Sequence, residues 1–392
     1  MSQPKLKSRP EDFEVEEQTT FGLAEGPFSL YRLTKRGMGT PEAIGAIAER
    51  WRIPRRIISY GGLKDRHAVT HQWITIHKGP KRDLEQTGLR LVYQGATNRP
   101  FAAQDISGNA FRIVLRDLTE SSAQQIVDHA AAIAEQGVPN YFDDQRFGSL
   151  GESGEFIARP WCLGDYERAF WLAIAEANPH DRPEDRRDKD LLRKHWGDWE
   201  ILKGALPRSS RRSMVTFLCD HPTDFKRALA LVRVDLRSLY LAAYQSDLWN
   251  RILAATLQEQ LPAESLRSFT LATLQAPFPV VAASPELREL QLPLPAARAT
   301  LEPGPLLDLY EKVLGEQGMT LRELRVKYPR DSFFSKGERA ALIRPSHVKA
   351  QAAADDLYGG RSKVTLQFDL PRGAYATILV KRLTMGIEVS VS

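Results

Sequence analysis

The sequence is poor in cysteine: Cys162 and Cys219 are the only two in 392 residues. That excludes a disulfide scaffold and every multi-cysteine zinc pattern, and it fits a reducing cytosol. Long apolar runs are missing too. No stretch approaches the length a bilayer crossing needs. The opening residues, MSQPKLKSRPEDFEVEE, carry charges where a signal peptide or membrane anchor would be apolar. A soluble, cytoplasmic protein is expected. There is no GxxxxGKS/T loop, no GxGxxG after a strand and no HExxH helix, which removes the usual sequence support for a phosphate-cradling loop or a zinc hydrolase. The chain also lacks internal repeats and low-complexity segments. The excess of positive over negative charge is small: the net value is +5 with a pI near 9.1, a tilt toward anionic partners that names none of them.

What is present fits a globular protein of some size. A chain this long exceeds one compact core, so two domains are expected. The 42% hydrophobic and 26% charged residues can build a packed interior and argue against disorder. Basic residues gather at Arg52, Arg55 and Arg56 and again at Arg208, Arg211 and Arg212. Each cluster reads either as a solvated face or as a surface for an anion.

The first third reads as mixed helix and strand. Thr40, Pro41 and Glu42 form a helix-start signal of hydroxyl cap, first-turn proline and acid, and Ile44, Ile47, Ala48 and Trp51 follow at helical spacing. After Gly61-Gly62, the β-branched and aromatic run Val69 to Ile76 predicts a strand, and the alternation in GNAFRIVLRDL (Gly108 to Leu118) predicts another. A helix is predicted over Glu120 to Gln136, capped by Thr119 and stopped by Gly137. The middle, about Arg159 to Arg344, is helix-rich, with Leu241, Tyr244, Leu248 and Ile252 striping a helix from about Ser238 to Gln260. Its proline-rich stretch QAPFPVVAASPELRELQLPLP predicts loops and short strands. Strand character returns at the end: Val364, Leu366 and Phe368 alternate, and LPRG leads into AYATILV. A β-rich tail after a helical middle suggests a core split by an insertion.

Two stretches put chemistry-bearing residues beside strands. In GGLKDRHAVTHQW (Gly61 to Trp73), Asp65 sits between Lys64 and Arg66, and flanking cations favour the ionised acid that a carboxylate nucleophile needs. A surface salt-bridge cluster is the competing reading. In PNYFDDQRFGSLGESGEF (Pro139 to Phe156), aromatics alternate with amides and guanidinium groups, a surface that can stack a base and bond its edges. A hydrophobic plug under a helix is the alternative. His67, His71 and His77 could share a strand face, but no HExxH or cysteine pair completes a zinc site and none is expected. Asp143-Asp144 is the one close carboxylate pair near a motif that a metal-dependent nuclease or phosphatase could use. Activity in chelator would dismiss that class.

Taken together these stretches resemble the TruD family of tRNA pseudouridine synthases, which act on uridine 13 of tRNA. RPEDFEVEE (Arg9 to Glu17) resembles the family's N-terminal signature, GGLKDRHAVTHQW its catalytic motif and GNAFRIVLR its following strand. NYFDDQRFG (Asn140 to Gly148) resembles its second motif, LAAYQSDLWN (Leu241 to Asn250) a helix of its inserted domain, and LPRGAYATILVKRL its C-terminal strand. Six short motifs in family order are specific where any one is not. The resemblance implies Asp65 as catalytic residue and Lys7, Phe13, Asn140, Phe142 and Tyr375 as substrate-binding residues, with no metal and no cofactor. Tyr375 stands where some members carry phenylalanine. It implies an α+β fold: a pseudouridine synthase core with a mixed, mostly antiparallel sheet flanked by helices, plus a large inserted α/β lobe. Residues 1–158 and 345–392 would form the core and 159–344 the insertion. The implied partner is tRNA, with no membrane and no obligate protein partner. A non-catalytic protein that binds structured RNA is the rival reading, separated by an activity assay on tRNA.

Overall fold

The computed structural model describes residues 4–386. The chain divides into two compact units, Met1–Val138 with Leu342–Ser392, and Pro139–Ala341. The first is therefore a core interrupted by the second, as the β-rich tail suggested. The divisions fall at 138/139 and 341/342, where 158/159 and 344/345 were expected. The NYFDDQRFG stretch consequently belongs to the insertion and not to the core.

Among the described residues, ten strands of the core unit form one sheet. They are β1 (Lys5–Leu6), β2 (Phe13–Thr19), β3 (Phe28–Arg36), β4 (Ile58–Tyr60), β5 (Val69–His77), β6 (Leu84–Gln86), β7 (Leu89–Thr97), β8 (Ile106–Leu118), β9 (Ser346–Ala354) and β10 (Ser362–Pro371). The order is β9-β10-β8-β2-β5-β3-β7-β6, with β1 on β8 and β4 on β5. Every pairing is antiparallel except β2 with β5, where Val15 lies opposite Thr70. The mixed, mostly antiparallel α+β architecture is the expected one.

Three helices flank this sheet: α1 (Thr40–Trp51), α2 (Glu120–Gln136) and α3 (Ala376–Leu383). Helix α1 buries Ala43, Ile44, Ile47 and Ala48 against Tyr31, Leu33, Ile58, Ile74 and Ile76 of the strands. Its start differs by one residue from the reading above. Thr40 is inside the helix, and its hydroxyl bonds Gln72 and the Lys64 amide instead of capping. Helix α2 matches: the Thr119 hydroxyl accepts the Ser122 N–H at 3.0 Å, and Gly137 leaves the helix at φ +74°. The tail overturns an expectation. AYATILVKRL is not a strand but helix α3, because Ala376, Leu379, Val380 and Leu383 bury on an i, i+3, i+4, i+7 stripe. Each such large side chain stabilises by roughly 1.5–3 kcal/mol, which overrides the β-propensity of Ile378 and Val380.

The two halves of the core are joined by polar bonds as well as by β8–β10 pairing. Arg116, buried on β8, reaches Asp12 at 2.9 Å, Asp355 at 2.7 Å and Asp356 at 2.9 Å. One guanidinium thus ties the chain's start to the β9–β10 turn, on the far side of the insertion in sequence. Its fork can serve several carboxylates at once, which an ammonium cannot do as well.

The insertion unit is built around one long helix, Val234–Gln260. Leu241, Tyr244, Leu248 and Ile252 are buried as the stripe predicted, and Ala243, Gln245, Ser246 and Asn250 are buried as well. Between Leu241 and Leu257 the helix is covered on nearly all sides, as the axis of a domain is. Its buried amides are used: Gln245 donates to the carbonyls of Pro295 and Ser335 and accepts the Ser335 N–H. The proline-rich stretch supplies one strand of a hairpin, Gln275–Pro279 paired with the preceding Leu266–Thr270, and the short strand Gln291–Pro293.

Candidate active site

The Asp65 loop joins β4 to β5, and its backbone is held from beneath by buried polar side chains. Lys35 of β3 is completely buried, and its ammonium donates to the carbonyls of Asp65 (2.7 Å), Met38 (2.7 Å) and Lys64 (3.3 Å). Thr40 accepts the Lys64 N–H at 3.0 Å and donates to Gln72 at 3.0 Å. Burial pushes the Lys35 amine down to about 8, with the Asp65 charge opposing that shift. Of the two glycines, only Gly61 is short of space: a Cβ there would stand 2.5 Å from the Ile106 side chain, whereas at Gly62 it would meet nothing within 4 Å. None of Lys35, Thr40 and Gln72 was singled out as part of the site. A lysine in an alternating strand carries no local sign that it will be buried.

With the backbone fixed, the Asp65 side chain is left 38% exposed, and one oxygen meets the Lys7 ammonium at 3.0 Å. The flanking cations do something else, which corrects the reading from spacing. Lys64 turns to Asn109 (2.7 Å) and to Glu17, an ion pair at 3.2 Å that lacks hydrogen-bond alignment. Arg66 faces Glu42 at 3.5 Å. Neighbours in sequence diverge in this loop, so the cation that meets Asp65 comes from residue 7. Burial pushes the Glu17 carboxyl up, against the pull of Lys64.

Lys7 itself is aimed by two features. Its backbone has φ +62°, a region uncommon for a side chain of its kind. Its ammonium also lies 4.0 Å over the Phe13 ring, a cation–π contact. Phe13 is 3% exposed and meets Phe111 edge-on at 6.2 Å. Its ring is covered in this arrangement, so it supports Lys7 and offers no open stacking face. Tyr375, half-buried, stands immediately before α3 in the same unit.

Asn140 and Phe142 belong to the insertion unit. Asn140 is 6% exposed: its amide donates to the Ala340 carbonyl at 3.0 Å and accepts from Arg339 at 2.6 Å, and its own N–H bonds Ala341. Phe142 is half-buried, with its backbone N–H and C=O both bonded to the Asn250 side chain. Arg339 lies 4.2 Å over its ring and Trp249 meets it edge-on at 5.6 Å. Asn250 ends the LAAYQSDLWN motif, which explains why that motif and NYFDDQRFG go together. Arg339 had no sequence signal. Asp144 accepts the Ala272 N–H. Among the described residues no group of three potential ligands could hold a metal ion, and His71 lies between Thr34 and Glu14.

The family model of tRNA pseudouridine synthase D (TruD) matches residues 2–272 and 282–383. The chain belongs to the TruD family. The gap in the TruD match, residues 273–281, overlaps the start of the proline-rich stretch. A Methanocaldococcus jannaschii protein named "Probable tRNA pseudouridine synthase D 2" is 33% identical over 98% of this chain and 92% of its own length. The tRNA pseudouridine synthase D of Aquifex aeolicus is 29% identical over 97% of each chain. A TruD crystal structure from Methanosarcina mazei, 24% identical, superposes with a TM-score of 0.75 over 97% of this chain and 93% of that one, which shows a shared fold. Of the site residues that the resemblance implied, Lys7, Phe13 and Asp65 come together in space. Among the described residues no helix is long and apolar enough to cross a membrane.

Proposed function

We propose that this protein isomerises a uridine of tRNA, at position 13, to pseudouridine, with Asp65 as the nucleophile. The observation that carries this reading is one carboxylate left accessible beside the Lys7 ammonium, on a loop whose backbone is fixed by Lys35 and Thr40. A reaction at C1′ needs such a fixed group, since a misplacement of about 1 Å can cost 10²-fold in rate.

The target uridine leaves its stack, because its sugar is inaccessible inside a folded helix. Asp65 assists cleavage of the glycosidic bond, by attack on C1′ or by removing a ribose proton. The freed uracil turns and joins C1′ through C5, which releases Asp65 or returns the ribose proton it took, and the C5 proton is lost to water as N1 takes one up. Lys7 orients the carboxylate and Phe13 orients Lys7. Tyr375 holds the base by stacking, and Phe142 serves as a stacking ring for the RNA. Asn140 serves recognition by fixing Arg339, given that its own amide is already engaged. The support for Tyr375, Asn140 and Phe142 is their place in the family motifs. Mass-spectrometric mapping of pseudouridine in tRNA incubated with wild-type protein or with Asp65→Asn tests the reading. Wild-type protein that leaves every uridine unchanged would refute it.

A further inference from the structure

The insertion unit contains a cavity of about 940 Å³ whose lining includes Arg298, Arg325, Lys327, Arg330 and Lys336, with Phe333 among them. We infer that this cavity binds an unpaired segment of the RNA substrate, phosphates on the five cations and one base on Phe333. The inference rests on the reading of this chain as an enzyme acting on RNA.

Three observations carry it. No acidic residue lines the cavity. The nearby carboxylates are engaged elsewhere: Asp331 is bonded twice by the buried Arg237, at 2.7 and 3.0 Å, and Glu323 takes the N–H and hydroxyl of Thr320 at 2.8 Å. Among the described residues none of the five cations has an ion-pair partner. Members of the other two basic clusters are engaged within the fold. Arg211 meets Asp185 at 2.7 Å, Arg212 donates to the Lys203 carbonyl, and the guanidinium of Arg55 packs under Gly45. The cavity gathers five cations along one lining.

Phe333 is the third observation. It is 75% exposed, whereas Phe334 beside it is buried with the core of the unit. An exposed aromatic ring among cations is the combination that single-stranded RNA uses, since every base has a face to stack and every nucleotide a phosphate. A volume within roughly 300–1,000 Å³ suits an enclosed small ligand or a nucleotide rather than a duplex. The loop is also anchored. Gln245 holds Pro295 and Ser335, and Arg237 holds Ser332, so both edges of the cavity are fixed to the long helix.

The test uses the full chain. Binding of tRNA and of an eight-nucleotide oligouridine is measured by fluorescence anisotropy across a salt series, in an Asp65→Asn background. Phe333→Ala is expected to weaken oligouridine binding about 5- to 100-fold, the range of one base stack removed. Arg325→Gln with Arg330→Gln is expected to lower the slope of log affinity against log salt by about 0.7 for each phosphate left without its cation. In the active enzyme the same variants should raise KM for tRNA and leave kcat within about twofold. Melting temperatures near wild type exclude misfolding, which exposed side chains should not cause. Unchanged affinity and slope would overturn the inference, as would uridine monophosphate or inorganic phosphate displacing the oligonucleotide at its own concentration. Wild-type protein that makes pseudouridine while the cavity variants bind normally would remove the cavity and leave the proposed reaction standing.

Discussion

The Asp65 loop and the Asn140–Phe147 segment carry the two strongest motifs of this protein, and they are built in opposite ways. In the first, buried side chains hold the backbone and one carboxylate is left partly in solvent. In the second, the side chains themselves are used as fasteners: Asn140 by Arg339 and Ala340, Tyr141 by the Pro277 carbonyl, Asp144 by Ala272. A motif conveys function only when its polar groups are left over after the fold has been satisfied. By that measure Asp65 is the group left over, while the second motif shapes a surface with Phe142 as its one partly open ring.

The sharpest test of this contrast is Asp65→Asn. Because the side chain is partly exposed and the change isosteric, stability should move by no more than about 0.5 kcal/mol. Pseudouridine formation should disappear, and residual turnover within tenfold of wild type would end the assignment. Asn140→Ala should do the reverse. It takes the side-chain donor from the Ala340 carbonyl and one acceptor from Arg339, which keeps its bond to the backbone carbonyl of residue 140, at a cost of about 1–3 kcal/mol for a buried group left unpaired, so a fall in melting temperature is expected alongside any loss of rate.

Lys35 separates the two designs further. Lys35→Met leaves three carbonyls under the Asp65 loop without a donor, and both rate and stability should fall. The pH dependence has an unusual sign. Burial sets the Lys35 amine near 8 in the fold, below its ordinary value of 10.5. Below pH 8 the ammonium is present in both states. Between about 8 and 10.5 the unfolded chain binds the extra proton, so this group's contribution to stability rises with pH. The loop's grip changes in the other direction, because a neutral amine has two N–H groups for three carbonyls. Turnover should therefore decline through about pH 8 while the melting temperature shows no matching loss from this group. Parallel declines in rate and melting temperature would mean that Lys35 acts through global stability alone.

Lys7→Met should lower kcat about 10- to 100-fold, the scale of removing an electrostatic partner from a reacting group, with little change in stability since the pair is partly exposed. If Lys64→Met has the larger effect on kcat, the spacing argument that placed Lys64 beside Asp65 would be right about function even though the side chain turns to Glu17 and Asn109.

What could be read in the sequence followed from how local the cause was. Helix α2 was legible because its cap, stop and stripe lie within the segment. The Ser362–Pro371 strand was legible from alternation. Helix α3 was not, since Ile378, Leu379 and Val380 suit a strand as well as a helix, and packing against α2, with His129 bonded to the Leu383 carbonyl, decides. Asp65 was legible as a motif, but its cation was assigned from spacing to Lys64 and Arg66. Only the family resemblance pointed to Lys7, 58 residues away. Lys35 and Arg339 act entirely through tertiary contacts, and nothing beside them in sequence marks them.

The smallest expected effect belongs to Phe142, where the two designs meet. A fully buried phenylalanine changed to alanine costs about 3–5 kcal/mol. Phe142 is half-buried, with Arg339 over its ring and Trp249 at its edge, so Phe142→Ala should cost less, about 1–3 kcal/mol. If the ring also stacks on the uracil, kcat per folded molecule should fall about 5- to 100-fold. Affinity for tRNA should change less, because phosphate contacts supply most of it. Phe142→Tyr keeps the ring face and should retain both properties. Arg339→Gln then divides packing from stacking: it removes the guanidinium from the ring and leaves the aromatic face present. Single-turnover rate and melting temperature of the three variants decide the matter. A normal rate per folded molecule in Phe142→Ala, with a large loss of melting temperature, would make the ring a fastener like its neighbours and leave the second motif with no direct part in the reaction.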